Sequence, residues 1–91
     1  MIDAGEAVHV VLGRLKKLPA GGRLELLTWK RDRSLVFVRQ ADGRVLVEER
    51  GFRNQEYTVE PGRLRKLLRT LLKREFPRSR RIRVLVHGLG P

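Results

Sequence analysis

Residues 61–77 read Pro61-Gly62-Arg63-Leu64-Arg65-Lys66-Leu67-Leu68-Arg69-Thr70-Leu71-Leu72-Lys73-Arg74-Glu75-Phe76-Pro77, and their spacing organises everything around them. Leu64, Leu67, Leu68, Leu71, Leu72 and Phe76 recur at three- and four-residue steps, which is one stripe of an α-helix. At 100° per residue the six cover about 180° of arc, and Arg65, Lys66, Arg69, Lys73 and Arg74 fill the other half. Proline suits the first turn of a helix, where its missing N–H is no loss, and it cannot continue one, so Pro61 and Pro77 set the limits. One side of this helix must face a core and the other is positive.

Forward of the helix, Arg78-Ser79-Arg80-Arg81 reads as a basic loop. Ile82, Val84 and Val86 then alternate with Arg83, Leu85 and His87, the period of a strand. Backward, the chain breaks into further strands. Residues 23–29 alternate through Leu24 and Leu26 to Trp29 and are followed by the charged turn Lys30-Arg31-Asp32-Arg33. Residues 34–39 are apolar without interruption at Leu35-Val36-Phe37-Val38, as expected of a central strand buried on both faces or of one with a face that meets a partner. Asp42-Gly43 offers the positive φ of a tight hairpin, residues 44–50 alternate again, and Gly51 marks a bulge or bend. Tyr57-Thr58-Val59 is a fourth short strand or an ordered loop.

At the start of the chain, Asp3-Ala4-Gly5-Glu6 has capping-box spacing and predicts a helix beginning there. Val8, Val11, Leu12, Leu15 and Leu18 continue it as a stripe until Pro19-Ala20-Gly21-Gly22 ends it. The order is helix, three and at most four antiparallel strands, basic helix, final strand: an α+β domain over residues 1–87 with two helices covering the sheet and a tail at 88–91. A last strand parallel to the third would make the basic helix a right-handed crossover.

Composition narrows the function. With 91 residues there is room for one domain. The absence of cysteine excludes disulfide scaffolds, thiol catalysis and cysteine-ligated zinc, and it suits a reducing cytoplasm. The longest uncharged apolar run, Ala7 to Gly13 with His9 inside it, falls far short of the roughly 20 residues of a membrane span. Met1-Ile2-Asp3 lacks the basic start and apolar stretch of an export signal, so the expectation is a cytoplasmic protein with no membrane contact. Lysine and arginine number 21 against 10 acids, a formal charge of +11, which favours a polyanionic partner. The excess is local: residues 61–91 carry ten bases and a single acid, Glu75.

The chemistry of catalysis is thinly supplied. The histidines, His9 and His87, and the serines, Ser34 and Ser79, are scattered; an extended segment from Ser79 to His87 would separate those two by about 26 Å. Glu48 and Glu49 are consecutive on a strand and point to opposite faces. Glu25, Glu48 and Lys30 can be gathered on a sheet, but no spacing demands it. No glycine-rich loop has phosphate-loop spacing. The reading is therefore non-enzymatic, with no cofactor and no metal.

What remains is binding. Arg65, Lys66, Arg69, Lys73 and Arg74 on the helix, Arg78, Arg80 and Arg81 in the loop and Arg83 on the strand predict one phosphate-gripping surface for RNA or DNA, RNA being favoured, with little sequence specificity. Solvated helix faces ordinarily mix signs, and like charges four apart, as at Arg65 with Arg69, are unfavourable. Trp29, Phe52 and Tyr57 stand beside basic residues and are candidates for stacking on unpaired bases, the alternative being closure of the core. The competing reading is a protein-interaction module: Leu27, Trp29, Val36 and Val38 form an apolar sheet patch for a second copy of the chain, and the basic face is solvated or meets an acidic protein.

Overall fold

The computed structural model describes residues 1–87, so the expected tail at 88–91 lies outside the described residues. The chain folds as an α+β domain: β1 (Ile2–Asp3), a 3-10 turn (Ala4–Glu6), α1 (Ala7–Lys17), β2 (Arg23–Leu27), β3 (Ser34–Arg39), β4 (Val45–Arg50), β5 (Asn54–Val59), α2 (Pro61–Glu75) and β6 (Arg81–His87). The strands form one sheet in the order β1-β6-β2-β3-β4-β5, with every pairing antiparallel.

Three sequence expectations are corrected. Asp3 stands at the N-cap of the 3-10 turn that leads into α1, but its side chain makes no capping hydrogen bond. It lies in β1 opposite Arg81, and α1 starts only at Ala7, after the 3-10 turn. The final strand is not parallel to the third of the expected strands; β6 enters between β1 and β2, antiparallel to both. The reason is the reach of α2. Its 15 residues span about 22 Å, enough to carry the chain from β5 at one edge over the roughly 19 Å of four strand spacings to β6. Lastly, the polar stretch before Tyr57 is strand throughout, because Asn54 to Val59 pair residue for residue with Arg50 to Val45.

Both helices cover the same face of the sheet. Val11 and Leu15 of α1 and Leu64, Leu68 and Leu71 of α2 meet Leu24, Leu26, Leu35, Phe37, Val45, Val47 and Ile82 in one buried cluster. Arg39, at the end of β3, donates through Nη1 to the carbonyls of Leu15 and Lys16 at 2.7 and 3.1 Å. It thus satisfies acceptors that the last turn of α1 leaves open. The hairpin at Asp42-Gly43 forms as read: Gly43 has φ +90°, and Asp42 Oδ1 accepts the backbone N–H of Arg44 at 2.9 Å.

The uncovered face is mixed in character. Register places Arg23, Glu25 and Leu27 of β2, Val36 and Val38 of β3, Leu46 and Glu48 of β4, and Arg83 and Leu85 of β6 on it. Val36 is only 1% exposed although no helix lies over it, as its run of apolar neighbours predicted. At the β1 edge, β1 pairs only with Arg81 and Ile82. Among the described residues nothing pairs with the outer edge of β6 from Arg83 to His87, where Leu85 and Val86 are 42% and 46% exposed.

Candidate nucleic-acid interface

The outward side of α2 follows from its stripe. With Leu64, Leu68 and Leu71 buried, Arg63, Arg65, Lys66, Arg69 and Lys73 stand in solvent. They form a surface without an acidic residue on the helix, and none of them enters an ion pair among the described residues. Arg65, Lys66, Arg69 and Lys73 line a shallow depression of about 480 Å³. Arg63 belongs to this surface too, although the sequence reading did not assign it there.

Arg74 is different. It lies a quarter-turn off the outer face and turns inward to Glu49, with Nε to Oε2 at 2.7 Å and Nη2 to Oε1 at 3.0 Å. The hydroxyl of Tyr57 donates to Glu49 Oε1 at 2.8 Å and accepts from Arg74 Nη2 at 3.1 Å. Burial pushes the Glu49 carboxyl up, but the hydrogen bonds, led by the Arg74 guanidinium, outweigh it and hold the group at about 2. The Tyr57 hydroxyl is pushed up by burial and by the neighbouring Glu49 carboxylate. Arg74 therefore neutralises a buried acid beneath the helix, and Tyr57 fills the side of the core rather than standing free.

A second buried carboxylate organises the end of the domain where α2 stops. Glu75 accepts the backbone N–H groups of Phe52 at 2.7 Å and Arg53 at 3.1 Å, the turn between β4 and β5. Arg33, from the turn between β2 and β3, donates through Nη1 to the Glu75 carbonyl at 3.3 Å and places Nε 3.9 Å from its carboxylate. Gly51 makes this approach feasible, since a Cβ there would collide with Glu75 Oε1 and lie 2.8 Å from Arg33 Cγ. Two turns and the end of α2 are thereby tied to one carboxylate.

Beside this clamp opens a groove of about 970 Å³, lined among others by Trp29, Lys30, Arg33, Arg78, Arg80 and Arg81. Trp29 sits in the turn, two residues past the end of β2, and is 60% exposed; Phe52, on the neighbouring turn, is 68% exposed. The Arg83 guanidinium lies 4.2 Å from the centroid of the Trp29 ring, and Arg83 Nε donates to the Trp29 carbonyl at 3.3 Å. The turn itself is fixed locally. Thr28 Oγ1 donates to Asp32 at 2.6 Å, and that hydrogen bond holds the Asp32 carboxyl below the usual carboxylate range. Arg31 adopts φ +61°, a left-handed conformation that is uncommon for a side chain this large.

The structure thus distributes the expected cations over four places. Arg65, Lys66, Arg69 and Lys73 share the outer face of α2. Arg78, Arg80 and Arg81 line the groove at its end, with Arg81 also 4.0 Å from Asp3. Arg74 is committed to Glu49. Arg83 faces away from the helices, backing Trp29. Sequence reasoning missed Lys30 and Arg33 as neighbours of the Arg78–Arg81 loop, because only the sheet order brings the two turns together. It also missed Glu49 and Glu75 as buried, although both sit in register with core positions: Glu49 two residues after Val47, and Glu75 four after Leu71. Among the described residues no cluster of three or more histidine, aspartate or glutamate side chains forms a metal site, and no helix is long and apolar enough to cross a membrane. Compared with models of known families, with curated proteins and with solved structures, the chain finds no match.

Proposed function

We propose that this protein binds nucleic acid without catalysing a reaction on it, gripping phosphates along the outer face of α2 and in the Arg78–Arg81 loop, with RNA favoured and little sequence specificity. One observation carries the reading. Arg63, Arg65, Lys66, Arg69 and Lys73 project from one helix with no acid among them and, among the described residues, no ion pair, while Arg74 on the flank of the same helix is held by Glu49. The repulsion within such a face costs a few tenths of a kcal/mol for each pair four residues apart. A polyanion relieves it. Duplex nucleic acid carries one charge per roughly 1.7 Å of axis, so a helix about 22 Å long meets several phosphates at once.

The test is a titration with mixed-sequence RNA and DNA, single- and double-stranded, at several salt concentrations. Each phosphate neutralised adds about 0.9 to the slope of log affinity against log salt for a duplex. A slope of several units, reduced by one to two in R69Q/K73Q, is the expected outcome. A slope that this double substitution leaves unchanged moves the contact off α2. Absence of binding near physiological salt refutes the reading and leaves an acidic protein as the partner of the same face.

A further inference from the structure

We infer that the groove between the β2–β3 turn and the Arg78–Arg81 loop is a site for single-stranded nucleic acid, in which one unpaired base stacks on the open face of Trp29 while its phosphates meet Arg78, Arg80 and Arg81. The inference rests on the nucleic-acid reading above and adds a second contact surface of different chemistry to it.

The indole is the centre of the site. It is large, apolar and 60% exposed, in a chain that has one tryptophan. It is nevertheless held. One ring face is occupied by the Arg83 guanidinium at 4.2 Å, and the same arginine hydrogen-bonds the Trp29 carbonyl. A flat cation on one side leaves the other side as a fixed aromatic plane. The turn that carries it is stiffened by the Thr28 to Asp32 hydrogen bond and, through Arg33, is tied to the buried Glu75. Aromatic planes of this kind accept bases irrespective of sequence, because every base has a π-face.

The surroundings select for nucleic acid over other planar ligands. Lys30, Arg33, Arg78, Arg80 and Arg81 border the groove, so a base entering it brings its backbone against cations. A volume of about 970 Å³ lies at the upper end of the range of small-molecule sites, which suits a nucleotide with a flanking phosphate. Paired bases inside a duplex cannot reach the indole, whereas unpaired ones can be splayed onto it. Phe52, 68% exposed on the turn whose N–H groups Glu75 holds, is a second plane at the same end of the sheet. The two surfaces are joined in the chain, since Glu75 closes α2 and also lines the groove.

Trp29 is its own reporter, being the one tryptophan. The experiment titrates the full chain with mixed-sequence RNA and DNA oligonucleotides of about eight nucleotides, single-stranded and duplex, reading tryptophan emission and the anisotropy of a labelled strand together. Single strands of RNA or DNA are expected to quench Trp29, and duplexes to bind without quenching. Stacking is worth about 1–3 kcal/mol per base, so W29A should weaken single-strand binding by about 5- to 150-fold. Duplex affinity should stay within twofold, and W29F should recover most of the loss. Circular dichroism melts of both variants check that the fold is kept. Single strands that bind with Trp29 emission unmoved, or bind W29A as tightly as the parent, overturn the groove site while the α2 reading stands. Failure of every nucleic acid to bind overturns both.

Discussion

Replacing Arg74 with methionine separates the two kinds of cation on α2 more sharply than any other change. The side chain keeps an unbranched apolar stem but loses the guanidinium that holds Glu49 through two hydrogen bonds of 2.7 and 3.0 Å. In the parent, the Glu49 carboxyl is lowered from 4.5 to about 2. That difference corresponds to about 3 kcal/mol of stability. Because the folded-state value lies below the unfolded one, the contribution is fully present above pH 4.5 and is lost as pH falls toward 2. In R74M the Tyr57 hydroxyl still donates to this carboxylate, whose side-chain exposure is 0%, but no cation remains to balance its charge among the described residues. Stranding a buried charge costs about 3–5 kcal/mol at neutral pH, or about 12 °C or more in melting temperature for a domain of this size. Without the guanidinium that contribution shrinks, so the difference between R74M and the parent should be largest near neutral pH and should narrow below pH 4.5, where the parent begins to lose it. Urea denaturation of both proteins between pH 7 and pH 3, followed by circular dichroism, should show the gap narrowing. Equal stability at pH 7, or a gap that does not change with pH, would refute the assignment of Arg74 to the interior. The salt slope of nucleic-acid binding should be the same in R74M as in the parent.

Further outcomes follow from the same contacts. Gly51→Ala should destabilise by about 1–3 kcal/mol, since the added methyl meets Glu75 and Arg33 and well-packed sites resist extra atoms; a melt within 1 °C of the parent would mean that the clamp is loose. Leu68→Ala removes a fully buried side chain and should cost about 2–5 kcal/mol, measured in the same denaturation experiment, whereas a near-neutral result would mean that α2 faces the other way. R69Q/K73Q should leave the melting temperature almost unchanged or slightly raised, because those side chains have no ion pair to lose among the described residues; a drop of several degrees would show that they hold the fold together.

Local pattern announced α2 and β3 well, because the information is carried by residues adjacent to one another. The leucine stripe from Leu64 to Leu71 and the run from Leu35 to Val38 both lie where their periodicity puts them. The neighbours of β6 were not legible. Its alternation says that one face is buried but not which strand lies beside it, and that choice depends on α2 crossing the sheet. The helical turn does begin just after Asp3, but the capping box does not form, for the same reason: capping chemistry is local, whereas the pairing of Ile2 with Ile82 that draws Asp3 into the sheet is not. For the candidate surface, the sequence placed the cations of α2 on one face but merged them with Arg74 and Arg83. Separating these needed Glu49 and Trp29 to be located in space. A signal for the buried acids was present, since the single acid of residues 61–91 stands on the leucine stripe.

The brevity of β1 bears on how this protein behaves in company. A strand of two residues leaves the outer rim of β6 from Arg83 to His87 as a row of hydrogen-bonding groups with Leu85 and Val86 in solvent, and such rims are templates for further strands. In free solution a net charge of +11 keeps copies apart. A polyanion that bound many copies on one strand, as proposed, would cancel that repulsion as it gathered them. Clouding is therefore expected in mixtures near charge neutrality, clearing again when either component is in excess.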